Sequence, residues 1–222
     1  MARQQVLVVG LGQFGMALAE SLSRLGTEVV AVDHRPERVQ LAASIVSEAV
    51  TMDAMDEAEL GRLRPGARDL CVCAIGDENR EASIIVTAML RQMGAKRLVA
   101  RTTDEMHERI LRLVGAHEVL NPERLSGERL AARLAYQGLI EVVPLGDDLF
   151  LTELKAPAST WGRSLAQLHL PHRFQLTVLA VRRKVDGAGV VLMPAAGLVL
   201  ASGDMLVTAG PQGAAQRLAK EG

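Results

Sequence analysis

Apolar and polar positions along the chain follow two periods, and the point where the pattern changes divides it. Val6, Leu7, Val8 and Val9 form an apolar run ending at Gly10, after which Phe14, Leu18, Leu22 and Leu25 recur at helical spacing until Gly26. A second run over residues 29–32 finishes in Asp33. This predicts strand, tight turn, helix, strand. The alternation continues with a short helix over residues 35–43, its first turn holding Pro36, and a strand over residues 46–50. A helix over 56–63 is stopped by Pro65-Gly66, and a strand over 70–74 follows. The next helix, 79–93, is expected to turn Ile84, Ile85, Ala88 and Met89 inward. A strand over 98–100 precedes a helix whose apolar side is Met106, Ile110 and Leu113, and residues 118–120 make a sixth strand. Strands and helices alternating in this way predict an α/β doubly wound parallel sheet.

Asn121-Pro122-Glu123 then opens a further helix, expected to run to Tyr136 with Leu125, Leu130 and Leu134 on one side. From Gly138 the helical period gives way to short alternating runs. Strands are expected over 139–145, 149–154, 176–181, 190–193, 198–200 and 205–208, with a brief helix at 163–168 and a last one at 211–219. The turns Gly146-Asp147-Asp148, Asp186-Gly187-Ala188-Gly189 and Ser202-Gly203-Asp204 separate them. The expected domains are residues 1–120, a connecting helix over 121–137, and a small antiparallel α+β domain over 138–222. A module that small is a candidate for dimerisation.

The first turn carries the clearest chemistry. Gly10, Gly12 and Gly15 stand at the spacing G-x-G-x-x-G between a strand and a helix, the dinucleotide fingerprint of a Rossmann unit. Gly10 lets the chain turn, Gly12 lets backbone approach a pyrophosphate, and Gly15 lets the helix pack closely on the strand. The helix N-terminus offers free N–H groups to anions. Asp33, about 20 residues beyond the glycines, is placed to accept hydrogen bonds from ribose hydroxyls. Its charge favours NAD or an adenosine nucleotide over NADP, an exclusion that Arg35 softens. At the carboxyl edge of the sheet, Asp53 faces either the adenine or the role of a helix cap. Ala74-Ile75-Gly76 would line the crevice where the strand order reverses. Arg101 ends the fifth strand, where it meets a phosphate or makes a surface salt bridge.

Composition narrows the function classes. There are 25 Lys plus Arg against 26 Asp plus Glu, so no basic excess points to nucleic acid. The apolar runs fall short of the roughly 20 residues that span a bilayer, and a soluble, cytosolic chain is expected. Cys71 and Cys73 share one face of a strand, which reads as a pair of buried thiols. Catalysis beside a nicotinamide needs an acid or base and a substrate pocket. None of the five histidines, His34, His107, His117, His169 and His172, stands in a partnered motif. His107 falls on the polar side of its helix and is expected to be solvated. Tyr136 lacks a lysine four residues on, which removes the Tyr/Lys pair of short-chain reductases. The crevice reads as built to bind a nucleotide without transforming it, with a small NAD-dependent oxidoreductase as the alternative.

These residues resemble a known family. Residues 9–15, Ala31-Val32-Asp33, Ala74-Ile75-Gly76, Val114-Gly115-Ala116 and Asn121-Pro122-Glu123 are similar to the N-terminal RCK (KTN) domain, the regulator of potassium conductance. Gly162-Arg163-Ser164-Leu165, the run 176–181, Pro194 and the run 198–207 with its Gly203-Asp204 turn are similar to the family's C-terminal domain, TrkA-C. The layout is that of the TrkA and KtrA type subunits of bacterial potassium uptake systems. The resemblance implies a nucleotide-binding regulatory subunit, not an enzyme. It forms dimers that build a cytosolic gating ring, often octameric, and binds the inner face of a membrane potassium transporter subunit of TrkH/KtrB type. Its cofactor is an adenine nucleotide, NAD(H), ADP, ATP or AMP. Carried over by position, Gly12, Asp33, Asp53, Ile75, Gly76 and Arg101 contact the nucleotide, and Gly10, Gln13, Phe14, Gly15, His34, Arg35, Ala54 and Ala74 complete the binding set. Glu123 matches a place near the dimer interface where the family holds a divalent cation, although a carboxylate at a helix start is also stabilised by the dipole. Gln13 stands where ATP-sensing members often carry Arg, which leaves the preferred nucleotide open.

Overall fold

The computed structural model describes residues 3–76, 79–135, 139–146, 148–185 and 187–221. The chain forms two compact units, Met1–Glu123 and Arg124–Gly222. Tyr136, Gly138, Asp147 and Asp186, used above to place a helix end and three turns or boundaries, lie outside the described residues.

In the first unit, β1 (Gln5–Val9), β2 (Glu28–Asp33), β3 (Glu48–Thr51), β4 (Leu70–Cys73), β5 (Leu98–Arg101) and β6 (Glu118–Leu120) make one parallel sheet in the order β3-β2-β1-β4-β5-β6. The strand order reverses between β1 and β4, the position where open α/β sheets bind ligands. Alternate residues of β1 feed opposite layers. Leu7 and Val9 pack with Leu60 and Leu63 of the α3 region, Leu90 of α4 and Leu111 of α5; α3, α4 and α5 are Glu57–Arg62, Arg80–Gln92 and Glu105–Leu113. Val6 and Val8 pack with Ala19 of α1 (Gln13–Arg24) and with Val39 and Ala42 of α2 (Pro36–Ala42). Cys71 and Cys73 are both wholly buried in the first layer. Burial pushes the Cys71 thiol up to about 12, partly offset by Arg68, and pushes Cys73 up as well.

Two helices bury more than the faces their apolar residues mark. In α4 the buried positions are Ala82, Ser83, Val86, Thr87 and Leu90; of the four residues expected inward, Ile84 and Met89 pack partly buried against the core, and Ile85 and Ala88 are half-buried. The Thr87 hydroxyl donates to the Ser83 carbonyl at 2.7 Å, so a polar side chain enters the core already satisfied. In α5, Met106 and Leu113 are 65% and 78% exposed, and the buried pair is His107 and Leu111. His107 is therefore a core residue rather than a solvated one. Its backbone N–H is fixed by the Asp104 side chain, and its ring Nδ1 lies 3.4 Å from the Thr103 hydroxyl.

The second unit begins within α6 (Pro122–Ala135), where Leu125, Leu130 and Leu134 are exposed. Its sheet is antiparallel, ordered β10-β9-β11-β8-β7 from β7 (Leu139–Pro144), β8 (Phe150–Lys155), β9 (Thr177–Val185), β10 (Ala188–Leu192) and β11 (Met205–Gly210). Leu154, Val181 and Leu206 meet Leu168 of α7 (Leu165–Leu168), Phe174 of α8 (Leu170–Phe174) and Leu218 of α9 (Ala214–Ala219) in one core. Residues 198–200, expected as a strand, form only an isolated bridge between Val199 and Ser164. The Asp204 carboxylate explains the detour: it accepts from Arg183 Nε and Nη2, both at 2.7 Å, and from the Ala201 N–H, so the turn is tied to β9 by side chains. The helix α8 was not among the expected elements; Pro171 occupies its first turn, and His169 before it takes a left-handed conformation at φ 46°.

Candidate functional site

The apolar run of β1 ends at Gly10, whose φ of +98° is accessible chiefly to glycine and swings the chain beneath α1. Gly15 serves packing: a Cβ there would stand 1.9 Å from the Gly10 carbonyl oxygen, so only glycine lets the helix lie against the turn. Gly12 differs. Its φ is −66°, which any residue adopts, and the nearest atom to an added Cβ is Arg38 Nη1 at 3.9 Å. Nothing in the fold fills the space that a side chain at Gly12 would take.

That space belongs to a cavity of about 590 Å³ at the carboxyl ends of the strands, lined on one side by Gly10, Gly12, Gln13 and Phe14. Helix α1 starts there without a side-chain cap and without an acidic residue in its first turn. By contrast α3, α4 and α5 are capped by Asp56, Asn79 and Asp104. The unpaired N–H groups and the positive dipole end of α1 therefore favour an anion in the cavity.

Asp33 closes the β2 side and is 5% exposed. Its Oδ2 accepts from the Leu11 N–H at 2.7 Å and its Oδ1 from the Arg35 N–H at 2.9 Å. Arg38 Nη1 and His34 Nδ1 stand 3.5 Å and 3.4 Å from the carboxylate. Each oxygen thus holds one backbone N–H, and beside its second acceptor direction stands Arg38 or His34, which a ribose diol would share or displace. His34, Asp53 and Ala54 line the same side of the cavity. Asp53 is not the helix cap; Asp56 is, and the Asp53 carboxylate instead accepts from the Met55 N–H at 2.9 Å.

Across the cavity lie Ala74, Ile75 and Gly76, then Arg101 and Glu123. Arg101 has 15% of its side chain exposed and pairs through Nη2 with Glu123 Oε1. The guanidinium lies against Gly76, where a Cβ would come within 2.4 Å of Nη1, and 5.9 Å from the centre of the Phe14 ring. Arg101 makes the salt bridge, with its side chain mostly buried, and it also lines the crevice. Within one copy of the chain the residues do not fit a divalent cation. The Glu123 carboxylate faces a guanidinium, and among the described residues no group of three or more His, Cys, Asp or Glu could hold a metal ion.

Of the residues expected around a nucleotide, Gly15 and Arg35 do not line the cavity. Gly15 underpins the turn, and Arg35 contributes its backbone N–H to Asp33. Arg38, Met55, Asn79 and Val86 line it without having been expected. A signal for Arg38 was available: it lies in the first helix after Asp33, one turn in, where a side chain points back over the end of β2.

Comparison with known proteins agrees with this architecture. Residues 6–122 match the TrkA-N domain and residues 151–221 the TrkA-C domain. The chain is 32% identical over 209 residues to Ktr system potassium uptake protein A of Vibrio alginolyticus, covering 94% of this chain and 93% of that one. It is 30% identical over 208 residues to Ktr system potassium uptake protein C of Bacillus subtilis, covering 94% and 92%. The fold superposes on the GsuK channel bound to NAD with a TM-score of 0.65 at 19% identity, covering 98% of this chain and 40% of that one, so the chain spans about two fifths of the channel subunit. Among the described residues no helix is long and apolar enough to cross a membrane. The relatives carry the names of potassium uptake proteins. The chain belongs to the RCK family of TrkA-N/TrkA-C proteins, together with the Ktr potassium uptake subunits.

Proposed function

We propose that this protein is the regulatory subunit of a potassium uptake system and that an adenine nucleotide in the cavity of the first unit controls it. The observation that carries the reading is the room left at Gly12 beside an uncapped helix start, opposite a buried carboxylate that lines the same cavity. Phosphates sit at the N-terminus of α1, the ribose at Asp33, and the base between the Asp53-Ala54 side and Ile75. Copies assemble as dimers into a cytosolic ring that binds a membrane potassium transporter subunit, a reading supported by relatives named as potassium uptake proteins of Ktr and Trk systems. The nucleotide acts by binding one ring shape more tightly than another, because a ligand with equal affinity for both shifts nothing. Gln13 lines the cavity as a neutral donor, so a terminal phosphate gains no charge there. NAD(H), ADP and AMP are favoured over ATP on that account. Titration calorimetry of the purified protein with NADH, ATP, ADP and AMP tests the reading. Saturable binding of at least one supports it, and no heat of binding from any of the four overturns it.

A further inference from the structure

The cavity contains a competitor for its own ligand. We infer that Glu123 holds Arg101 in place of a nucleotide phosphate, and that this residue sets how strongly the site weighs phosphate against the nucleoside. The inference rests on the nucleotide reading above and adds to it a residue that decides selectivity.

The two partners of the pair are unequal. Arg101 is fixed by contacts that do not involve Glu123: its guanidinium lies against Gly76 and near the Phe14 ring, and only 15% of its side chain is exposed. Glu123 is 61% exposed and comes from the first turn of α6. A phosphate entering the cavity therefore finds the cation already positioned, with the carboxylate as the group that can leave. Arg101 also holds donor capacity in reserve, since its buried Nε has no hydrogen-bond partner among the described residues. The guanidinium fork suits a phosphate at least as well as a single carboxylate oxygen. Exchange is favoured because the released carboxylate returns to water, where its charge is readily hydrated, while a phosphate left near an unexchanged Glu123 would meet like charge.

The consequence is a site whose anion affinity is restrained by design. A phosphate at Arg101 brings a second anion to the guanidinium that Glu123 holds, whereas adenosine brings none. Because Glu123 also opens the helix that carries the chain into the second unit, the exchange changes the partner of a residue at the junction of the two units.

Calorimetry with ADP, AMP and adenosine on the wild type, Glu123→Gln, Arg101→Gln and the double variant tests the inference. Each variant is first checked by its thermal midpoint for folding. Removing the competitor should tighten ADP by about twofold to fivefold, the range that an exposed ion pair supplies, with adenosine unchanged within error. Arg101→Gln should weaken ADP, and adding Glu123→Gln to it should then give no gain. An unchanged or weaker ADP affinity in Glu123→Gln, or an equal gain for adenosine, overturns the competition. Weakening that appears only with magnesium present would instead assign Glu123 to a cation. Absence of ADP, AMP and adenosine binding in the wild type and in Glu123→Gln alike overturns the inference, and it takes the nucleotide reading with it when NADH and ATP also give no heat. ADP binding that Glu123→Gln leaves unchanged overturns the inference alone.

Discussion

Replacing Asp33 by Ala separates what this carboxylate does for the fold from what it does for a ligand. Without ligand, the side chain already accepts the N–H groups of Leu11 and Arg35 at 2.7 and 2.9 Å. Leu11 is 2% exposed, so its N–H loses its acceptor and gains no water, a cost of about 1–3 kcal/mol. Arg35 is exposed, and its N–H is rehydrated at little cost. Asp33→Ala should therefore destabilise the ligand-free protein by about 2 kcal/mol, read as a shift of the urea midpoint at constant slope. Binding loses in addition two charge-assisted hydrogen bonds to the ribose, about 1.5–3 kcal/mol, or roughly tenfold to a hundredfold in Kd by calorimetry under conditions where the variant is folded. Asp33→Asn keeps one acceptor oxygen and should fall between wild type and Ala on both scales. An unchanged urea midpoint for Asp33→Ala would refute the structural half of the reasoning, and an unchanged Kd would refute the ribose half.

The two inner glycines should part company. Gly12→Ala has 3.9 Å of room and should cost no more than about 1 kcal/mol of stability, as for Ala at a helix cap, while weakening nucleotide binding at least tenfold. Gly15→Ala drives a Cβ to 1.9 Å from a backbone oxygen and should cost about 3 kcal/mol or more, measured by urea unfolding. In the second unit the Arg183 guanidinium holds the Asp204 carboxyl below its ordinary 3.8, helped by the Ala201 N–H and opposed by burial. Its contribution to stability is therefore complete above pH 4 and is lost as the pH falls through the lower folded value. Asp204→Asn should lower stability by about 2 kcal/mol at pH 7 and flatten the acid limb of a stability profile. With both thiols pushed up by burial, Cys71 to about 12, iodoacetamide at pH 8 should label neither cysteine until urea unfolds the first unit; labelling of the native protein would contradict their placement.

The legible parts of the chain were those where local chemistry and tertiary need coincide. In β1 and β2 a continuous apolar run serves a sheet covered on both faces, and the glycines between them have backbone reasons visible in their spacing. The helix faces of α4 and α5 were less legible because an apolar stripe is only one way to enter a core. Thr87 does so by bonding back to the helix, and His107 by meeting Thr103, while Met106 and Leu113 face outward. Similarly, residues 198–200 look like a strand, but the Arg183–Asp204 pair organises them as an ordered turn, and pairing by side chains leaves no periodic trace. At the site, spacing found Asp33 and the turn, and missed Arg38, whose place depends on the angle at which α2 leaves the sheet.

The central claim is that nucleotide occupancy controls potassium movement through a membrane partner. The direct measurement is potassium uptake into vesicles holding a membrane subunit encoded beside this protein, with this protein added with and without ADP or NADH, alongside Asp33→Ala. The account predicts that nucleotide changes the uptake rate at least about threefold with the wild type, a bias near 0.6 kcal/mol, and that Asp33→Ala needs at least about tenfold more nucleotide for the same change. Equal uptake with and without nucleotide, at concentrations that saturate the wild-type protein by calorimetry, would contradict it.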